Sequence, residues 1–334
     1  MRGPGPVFVV GCPRSGTTLL YHTLISAGGF VDYPAESHVF NLFAARYGSF
    51  ADPRVREAFL PVWLKTHYFE KTGLRPEPIS RRLRAEAESW GDFLRIVMEE
   101  MARVQGVGNW AECTPHHALH LREIARDLPD ARVIHMIRDG RDVALSMDRL
   151  GWAPRLPGDR SPSVLAAGAY WSWILRRGRS LGRSCGLPYT EVSFEELVQR
   201  PGETLDELGT FLHRELSYDE VLRNPVGSVA NPNTSFGVGN GAGVPDTFDP
   251  VARWRRGMAQ ELQQAFMRRF GDLLDELGYE DLTSPGRSLY DRVYSAFLSS
   301  KQWAKTRTPL GRVMTRTLMG GKEGTVRDVM EPGS

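Results

Sequence analysis

Apolar residues open the chain as a short run at residues 7–10, Val-Phe-Val-Val, and after a turn-rich stretch up to Gly16 they recur at Leu20, Leu24 and Ala27. An unbroken β-branched and aromatic run predicts a strand, and the spacing of four and three predicts a helix over 17–27. Residues 36–107 carry helical patterns interrupted by Pro53, Pro61, Pro76 and Pro78, the clearest being Phe93, Val97, Met101 and Val104 behind a capping box, Ser89 with Asp92. This stretch is predicted to be a helical excursion over the sheet edge. Alternation then resumes: a helix after Pro115, a strand at 131–137, a polar turn at 138–140, a helix from about Arg141, a strand at 188–193 and helix within 194–211 broken at Pro201. Residues 224–250, rich in Asn, Gly and Pro, read as an irregular loop, and a helix from near Arg253 ends at Gly278, a suitable C-terminal cap. Strand-to-helix turns in this order predict an α/β fold with a central, mainly parallel sheet.

The last fifty residues differ in character. Nine Lys and Arg stand against four Asp and Glu between Pro285 and Ser334, and Tyr290, Val293, Tyr294, Phe297 and Leu298 form one apolar helical stripe. The pattern divides the chain into a main domain over 1–282 and a basic amphipathic extension over 283–334. Docking of this helix on the domain is the plain expectation; peripheral membrane contact and a homodimer contact are the alternatives.

Composition narrows the function. Across 334 residues, 42 Lys and Arg nearly balance 40 Asp and Glu, with 41% apolar and 25% charged residues. These globular averages exclude a mainly disordered chain and argue against a nucleic-acid partner, which would demand a basic domain or stripe. No run approaches the roughly 20 apolar residues of a membrane span, and the N-terminus lacks a secretory pattern, so a cytoplasmic location is expected. Three cysteines, Cys12, Cys113 and Cys185, are expected to be free thiols.

Two segments carry chemistry. Gly11-Cys12-Pro13-Arg14-Ser15-Gly16-Thr17-Thr18 lies between the first strand and the first helix, where a Gly-rich turn aims backbone N–H groups at an anion. It imitates a Walker A loop, but Thr17 occupies the place of the phosphate-reaching Lys and the cation comes earlier, as Arg14. Binding of a nucleoside triphosphate with Mg²⁺ loses its main point charge, whereas a donor with two anionic groups can still be held by amides, hydroxyls and a guanidinium. The second segment, 135–146, again joins a strand end to a helix: Arg138 offers a planar fork to a phosphate, and Ser146, two turns on, a hydroxyl. In an open α/β sheet both turns face one crevice.

These motifs resemble those of the sulfotransferases that use 3′-phosphoadenosine 5′-phosphosulfate (PAPS), in the branch that includes tyrosylprotein and bacterial small-molecule or carbohydrate sulfotransferases. Residues 13–18 are similar to the loop that holds the 5′-phosphosulfate, and residues 137–146 to the element that holds the 3′-phosphate. Weaker similarity extends over residues 7–282, including Val192–Leu197 and Arg253-Trp254-Arg255. The resemblance implies a P-loop NTPase-like three-layer sandwich with a helical cover. It also implies sulfuryl transfer from PAPS, without a metal, to a hydroxyl or amine of a small-molecule, carbohydrate or lipid-linked acceptor. Arg14, Ser15, Gly16, Thr17, Thr18, Arg138 and Ser146 are then the donor-binding residues, with Arg14 also facing the leaving oxygen.

Glu36 matches the carboxylate that tyrosylprotein-type members use as base; His38, two residues on, is an alternative. One position departs from the family, whose members often carry Lys in a Glu-Lys-Thr-Pro-like segment where this chain has Glu112-Cys113-Thr114-Pro115. Arg14, Lys65, Lys71 or His116 are the candidate substitutes. His116, His117 and His120 near Glu112 invite a metal reading, but Pro115 starts a helical turn that leaves Glu112 outside it, and acceptor contact or simple packing suits them better. The stretch 237–243 reads as a loop and candidate lid rather than a dinucleotide fingerprint. Two rivals remain, a P-loop nucleotide-dependent kinase and a non-catalytic protein that binds PAPS or adenosine 3′,5′-bisphosphate.

Overall fold

The computed structural model describes residues 5–152, 155–230, 250–279 and 286–307. β1 (Val7–Gly11) is buried along its whole length, as a strand must be when it has neighbours on both edges and helices over both faces. It pairs in parallel with β2 (Ala111–Cys113) on one side, Val7 opposite Ala111, and with β3 (Arg132–Ile137) on the other, Gly11 opposite Met136. β4 (Tyr189–Ser193) lies beyond β3, giving the order β2-β1-β3-β4, all parallel. The chain leaves β1 towards one edge for β2 and crosses to the other side for β3. The carboxyl ends of β1 and β3 therefore flank the switch point where such sheets open a ligand crevice.

After β1 come α1 (Thr17–Ser26), a π-helical turn (Val39–Phe43), α2 (Ala44–Tyr47), α3 (Pro53–Trp63), α4 (His67–Glu70), α5 (Pro76–Glu86) and α6 (Trp90–Gln105). β2 leads through a 3-10 turn (Pro115–Leu119) and α7 (Leu121–Asp127) to β3, and α8 (Gly140–Arg149) and α9 (Ser163–Ser184) lead to β4. There follow α10 (Phe194–Gln199), α11 (Pro201–Leu212), α12 (Tyr218–Arg223), α13 (Trp254–Gly257), α14 (Gln260–Glu276) and α15 (Leu289–Arg307).

Because successive strand side chains point to opposite faces, the sheet builds two cores. Val7, Val9, Ile134 and Met136 pack with Leu20 and Leu24 of α1 and Leu205 and Leu208 of α11. Phe8, Val10 and Val133 pack with α6, α7, α9 and α14 and with the cover. The sandwich therefore has three layers. Within the cover, Phe50, Phe59, Trp63, Trp90 and Phe93 interlock, with the Phe50–Trp90 and Trp63–Phe93 ring centroids 4.7 and 4.8 Å apart. The expected capping box closes α6, Ser89 Oγ accepting the Asp92 N–H at 3.0 Å and Asp92 Oδ2 the Ser89 N–H at 2.9 Å.

α9 and β2 are among the elements that escape the sequence pattern. α9 is apolar on nearly every side over its first half, Val164 to Leu175, because it lies between the sheet and α14; a helix buried all round has no polar face to betray its period. β2 has three residues, too few to show alternation. The helix expected from Arg253 onward is interrupted at Met258, which turns to extended backbone and buries its side chain. α15 packs on α9: Tyr294 and Leu298 are buried and Trp173 Nε1 donates to Ser299 Oγ, while Leu289, Val293 and Trp303 remain exposed. The stretches 237–243 and 308–334 lie outside the described residues. Among the described residues no helix is long and apolar enough to cross a membrane.

Candidate active site

β1 ends at Gly11, and the loop to α1 turns on two residues with positive φ, Arg14 (73°) and Gly16 (93°). The Ser15 N–H closes the turn on the Cys12 carbonyl at 3.0 Å. Gly16 sits at the N-cap of α1, and no side chain caps the helix there. The unpaired N–H groups of the first turn thus stay available to an anion, with the positive end of the helix dipole behind them. Gly16 is required twice over. Its φ is left-handed, and a Cβ would stand 2.4 Å from Cδ2 of Phe194. Gly16→Ala is expected to lower stability by about 1–3 kcal/mol and to displace the loop. Thermal denaturation and nucleotide titration check this, and an unchanged melting temperature with unchanged binding would contradict it.

The second turn follows β3. Arg138 is 2% exposed. Its Nη1 donates to the Arg14 carbonyl at 3.2 Å, its Nη2 to the Pro250 carbonyl at 2.7 Å, and its guanidinium lies 3.9 Å from the centroid of Phe194. Arg138 therefore ties the first loop to the 250 segment. Its Nε finds no partner among the described residues. Burial lowers its pKa, and Asp142, 4.0 Å away, opposes that shift. Asp142 itself is pushed up to about 6, by burial above all, although Arg138 and the Trp254 N–H pull the other way; that N–H reaches Asp142 Oδ1 at 2.8 Å. Arg141, fully buried, forks onto Asp139 and stacks 3.7 Å from the Trp254 ring centroid. The Arg253-Trp254-Arg255 segment is thereby anchored beside this turn.

Arg14 Nε donates to Ser146 Oγ at 3.1 Å, and its guanidinium lies 5.7 Å from the Trp152 ring centroid. The residues read from the two motifs thus meet: Arg14 spans from the first loop to α8, and Arg138 returns from the second loop to the Arg14 backbone. Ser15 and Thr17 are buried and Thr18 is exposed.

Glu36 approaches from the other side of β1. Its segment is fixed by Tyr21 of α1, whose hydroxyl accepts the Tyr33 N–H at 2.9 Å, and by Ser37, whose N–H and hydroxyl reach Glu112 Oε1 on β2 at 3.2 and 2.8 Å. The Glu36 side chain is 43% exposed, open enough to meet an acceptor. Burial of its protein-facing side, with the Glu112 charge, pushes its pKa up to about 8. Burial alone would raise Glu112 as well. His117, together with hydrogen bonds from His117 Nδ1 (2.9 Å), Thr114 Oγ1 and Ser37, holds it down at about 2. Two carboxylates with opposed pKa values in one site is an arrangement suited to assigning one as base and one as fixed charge. His38 is driven to about 3, first by burial and then by His117 and His116, which makes its ring a far weaker base than Glu36.

Cys113 ends β2 with its thiol buried and hydrogen-bonded to Thr17, and burial with the Glu36 and Glu112 charges raises its pKa. The position without the family's Lys thus lies directly against the start of α1. Lys65 and Lys71 are exposed on the cover. His116 contacts Tyr170 OH at 2.8 Å and His120 contacts Gln302 at 3.1 Å, so the histidines diverge. Among the described residues no group of three His, Cys, Asp or Glu side chains is placed to hold a metal ion. The buried Glu112 network, the Phe194 platform and Asn41 beside His38 were not legible in the sequence; each depends on contacts between separate elements.

A model of the sulfotransferase family matches residues 6–220, and the chain belongs to that family. No curated protein matches the sequence significantly. Among solved structures, the sulfotransferase domain of the Synechococcus PCC 7002 olefin synthase is similar, with 18% identity and a TM-score of 0.47, covering 90% of this chain and 96% of that one. A sulfotransferase from Mycobacterium avium (16%, TM-score 0.41, 86% and 79%) and one from Alicyclobacillus acidocaldarius (16%, TM-score 0.40, 85% and 98%) are similar as well.

Proposed function

We propose that the protein transfers the sulfuryl group of PAPS to a hydroxyl or amine of a small-molecule, carbohydrate or lipid-linked acceptor. What supports this reading is the chain of contacts between the two turns, Arg14 reaching Ser146 and Arg138 reaching the Arg14 carbonyl beside the uncapped start of α1, with the half-open Glu36 and Thr17 both neighbouring Cys113. The unpartnered Arg138 Nε and Trp254 Nε1 fit the same assignment, since buried donors without partners suit an anionic ligand. Residues 1–282 are assigned to this activity and 283–334 to an accessory extension.

In this reading the first-turn N–H groups of α1 and the Thr17 and Thr18 hydroxyls hold the 5′-phosphosulfate, and Ser146 and Arg138 the 3′-phosphate. Arg14 lies between the two, placed to swing its guanidinium towards the bridging oxygen. Glu36 takes the acceptor proton as the acceptor oxygen or nitrogen bonds to sulfur; the sulfur to bridging-oxygen bond breaks, and that oxygen leaves with the electron pair on adenosine 3′,5′-bisphosphate. In-line positioning and donors facing the developing charge are the main contributions expected of the protein. A kinase reading lacks its essential cation, since Thr17 stands where Lys would reach the phosphates.

The test is mass spectrometry of a metabolite extract incubated with isotopically labelled PAPS. Labelled sulfated product is expected with the natural protein. Tight binding of adenosine 3′,5′-bisphosphate without product from any acceptor would replace this reading by the non-catalytic one.

A further inference from the structure

His38 has a left-handed backbone, φ 51°, at the N-cap of the π-helical turn. For a residue with a Cβ this costs on the order of 1 kcal/mol. The turn retains it because the His38 carbonyl accepts the N–H groups of both Leu42 (3.0 Å) and Phe43 (3.2 Å). Further restraints come from the His38 N–H, which donates to Thr114 Oγ1 at 3.4 Å, and from Tyr68, whose ring meets the imidazole edge-on at 5.6 Å.

The result is an imidazole, 5% exposed, turned back upon the carboxylate two residues before it, with Nε2 3.3 Å from Glu36 Oε2. Its other nitrogen, Nδ1, lies 3.2 Å from Asn41 Nδ2. The two contacts select one tautomer. Once Glu36 is ionised, the form in which it can act as a base, a bare Nε2 lone pair would repel its carboxylate oxygen, so Nε2 carries the proton, and Nδ1 is then an acceptor that the Asn41 N–H satisfies.

We propose that His38 is a positioning residue for the base, donating an Nε2–H hydrogen bond to one oxygen of Glu36 and leaving the other oxygen to receive the acceptor's proton. The proposal rests on the sulfotransferase reading of the site, and it assigns Asn41 the task of fixing the tautomer. Titratable groups facing the pair are Glu112 and Cys113 from β2, His116 and His117 from the 3-10 turn, and Tyr68 from α4. Of these, Glu112 is tied up by its own donors, which leaves His38 as the group aimed at Glu36 Oε2.

The experiment is NMR titration of the full chain labelled with side-chain ¹³C-glutamate, the Glu36 signal being identified by its loss in Glu36→Gln. Removing a donor to the charged form raises a carboxyl pKa, so His38→Phe is expected to shift the Glu36 titration upward by about one pH unit or more, given the usual strength of hydrogen bonds to charged groups. His38→Gln, which retains an N–H donor, is expected to recover part of that shift. In the unsubstituted protein, at a pH above the Glu36 titration, ¹⁵N shifts are expected to place the His38 proton on Nε2, a reading that requires no variant to fold. An unchanged Glu36 titration in His38→Phe, or a proton on Nδ1, overturns the proposal. Calorimetry with adenosine 3′,5′-bisphosphate separates the two levels: failure to bind would remove the sulfotransferase reading while leaving the His38 to Glu36 coupling measurable.

Discussion

Glu36→Gln is expected to reduce sulfuryl transfer by about 10²–10⁴-fold, the usual contribution of a positioned general base, and to leave affinity for adenosine 3′,5′-bisphosphate unchanged. The substitution keeps the shape of the side chain and removes only its ability to accept a proton. Because a carboxylate serving as base works when ionised and the Glu36 pKa is raised to about 8, the rate in the natural protein is expected to climb from pH 6.5 and level off above 8. A carboxyl raised in the folded state favours folding while protonated, and that contribution is lost as pH rises through the folded value. Glu36→Gln is accordingly expected to be more stable than the natural protein at pH 9, and to show no difference of that kind at pH 5. Full turnover in the variant would move the base elsewhere.

Acid is expected to unfold the protein well before its carboxylates are exhausted. His38, His120 and His135 are 5%, 4% and 0% exposed, and burial, the largest cause in each case, lowers them to about 3, 3 and 4. The unfolded chain binds protons on these residues below about pH 6.5 while the folded chain does not, so stability falls with pH from that point down to the folded values. Each contributes about 1.4 kcal/mol per pH unit, or roughly 6 kcal/mol for the three by pH 5, comparable with the whole net stability of a domain, about 5–15 kcal/mol. Glu36 and Asp142, both raised in the fold, act in the opposite direction over part of this range. Glu112, held at about 2, keeps its full contribution down to about pH 4.5. Melting temperature measured from pH 7.5 to 4.5 is expected to drop steeply below 6.5, with a shallower fall in His120→Gln. A flat profile between pH 7 and 5 would contradict the account.

The parts of the molecule legible in the sequence are those encoded within one segment. The apolar run before Gly11 announces β1, the turn-forming residues around Arg14 announce the loop, and Ser89 with Asp92 announces the start of α6; each signal depends on neighbours a few residues apart. What lay hidden depends on distant partners. Gly16 could be read as a turn glycine, but not as the floor on which Phe194, some 180 residues later in the sequence, is seated. Arg138 reads as a phosphate ligand from its motif, yet its bonds to the Arg14 and Pro250 carbonyls make it a tie between loops as well. In sequence Glu112 reads as part of a segment without the family's Lys; in the fold it is the buried anion that Ser37, Thr114 and His117 surround.

In the proposed function the turns after β1 and β3 form one binding site for one nucleotide. A crystal structure with adenosine 3′,5′-bisphosphate tests it most directly. The 5′-phosphate is expected against the backbone N–H groups at the start of α1 and the 3′-phosphate within hydrogen-bonding reach of Ser146 and Arg138. A nucleotide bound away from the carboxyl ends of β1 and β3, or one whose two phosphates both sit on the first loop, would contradict it.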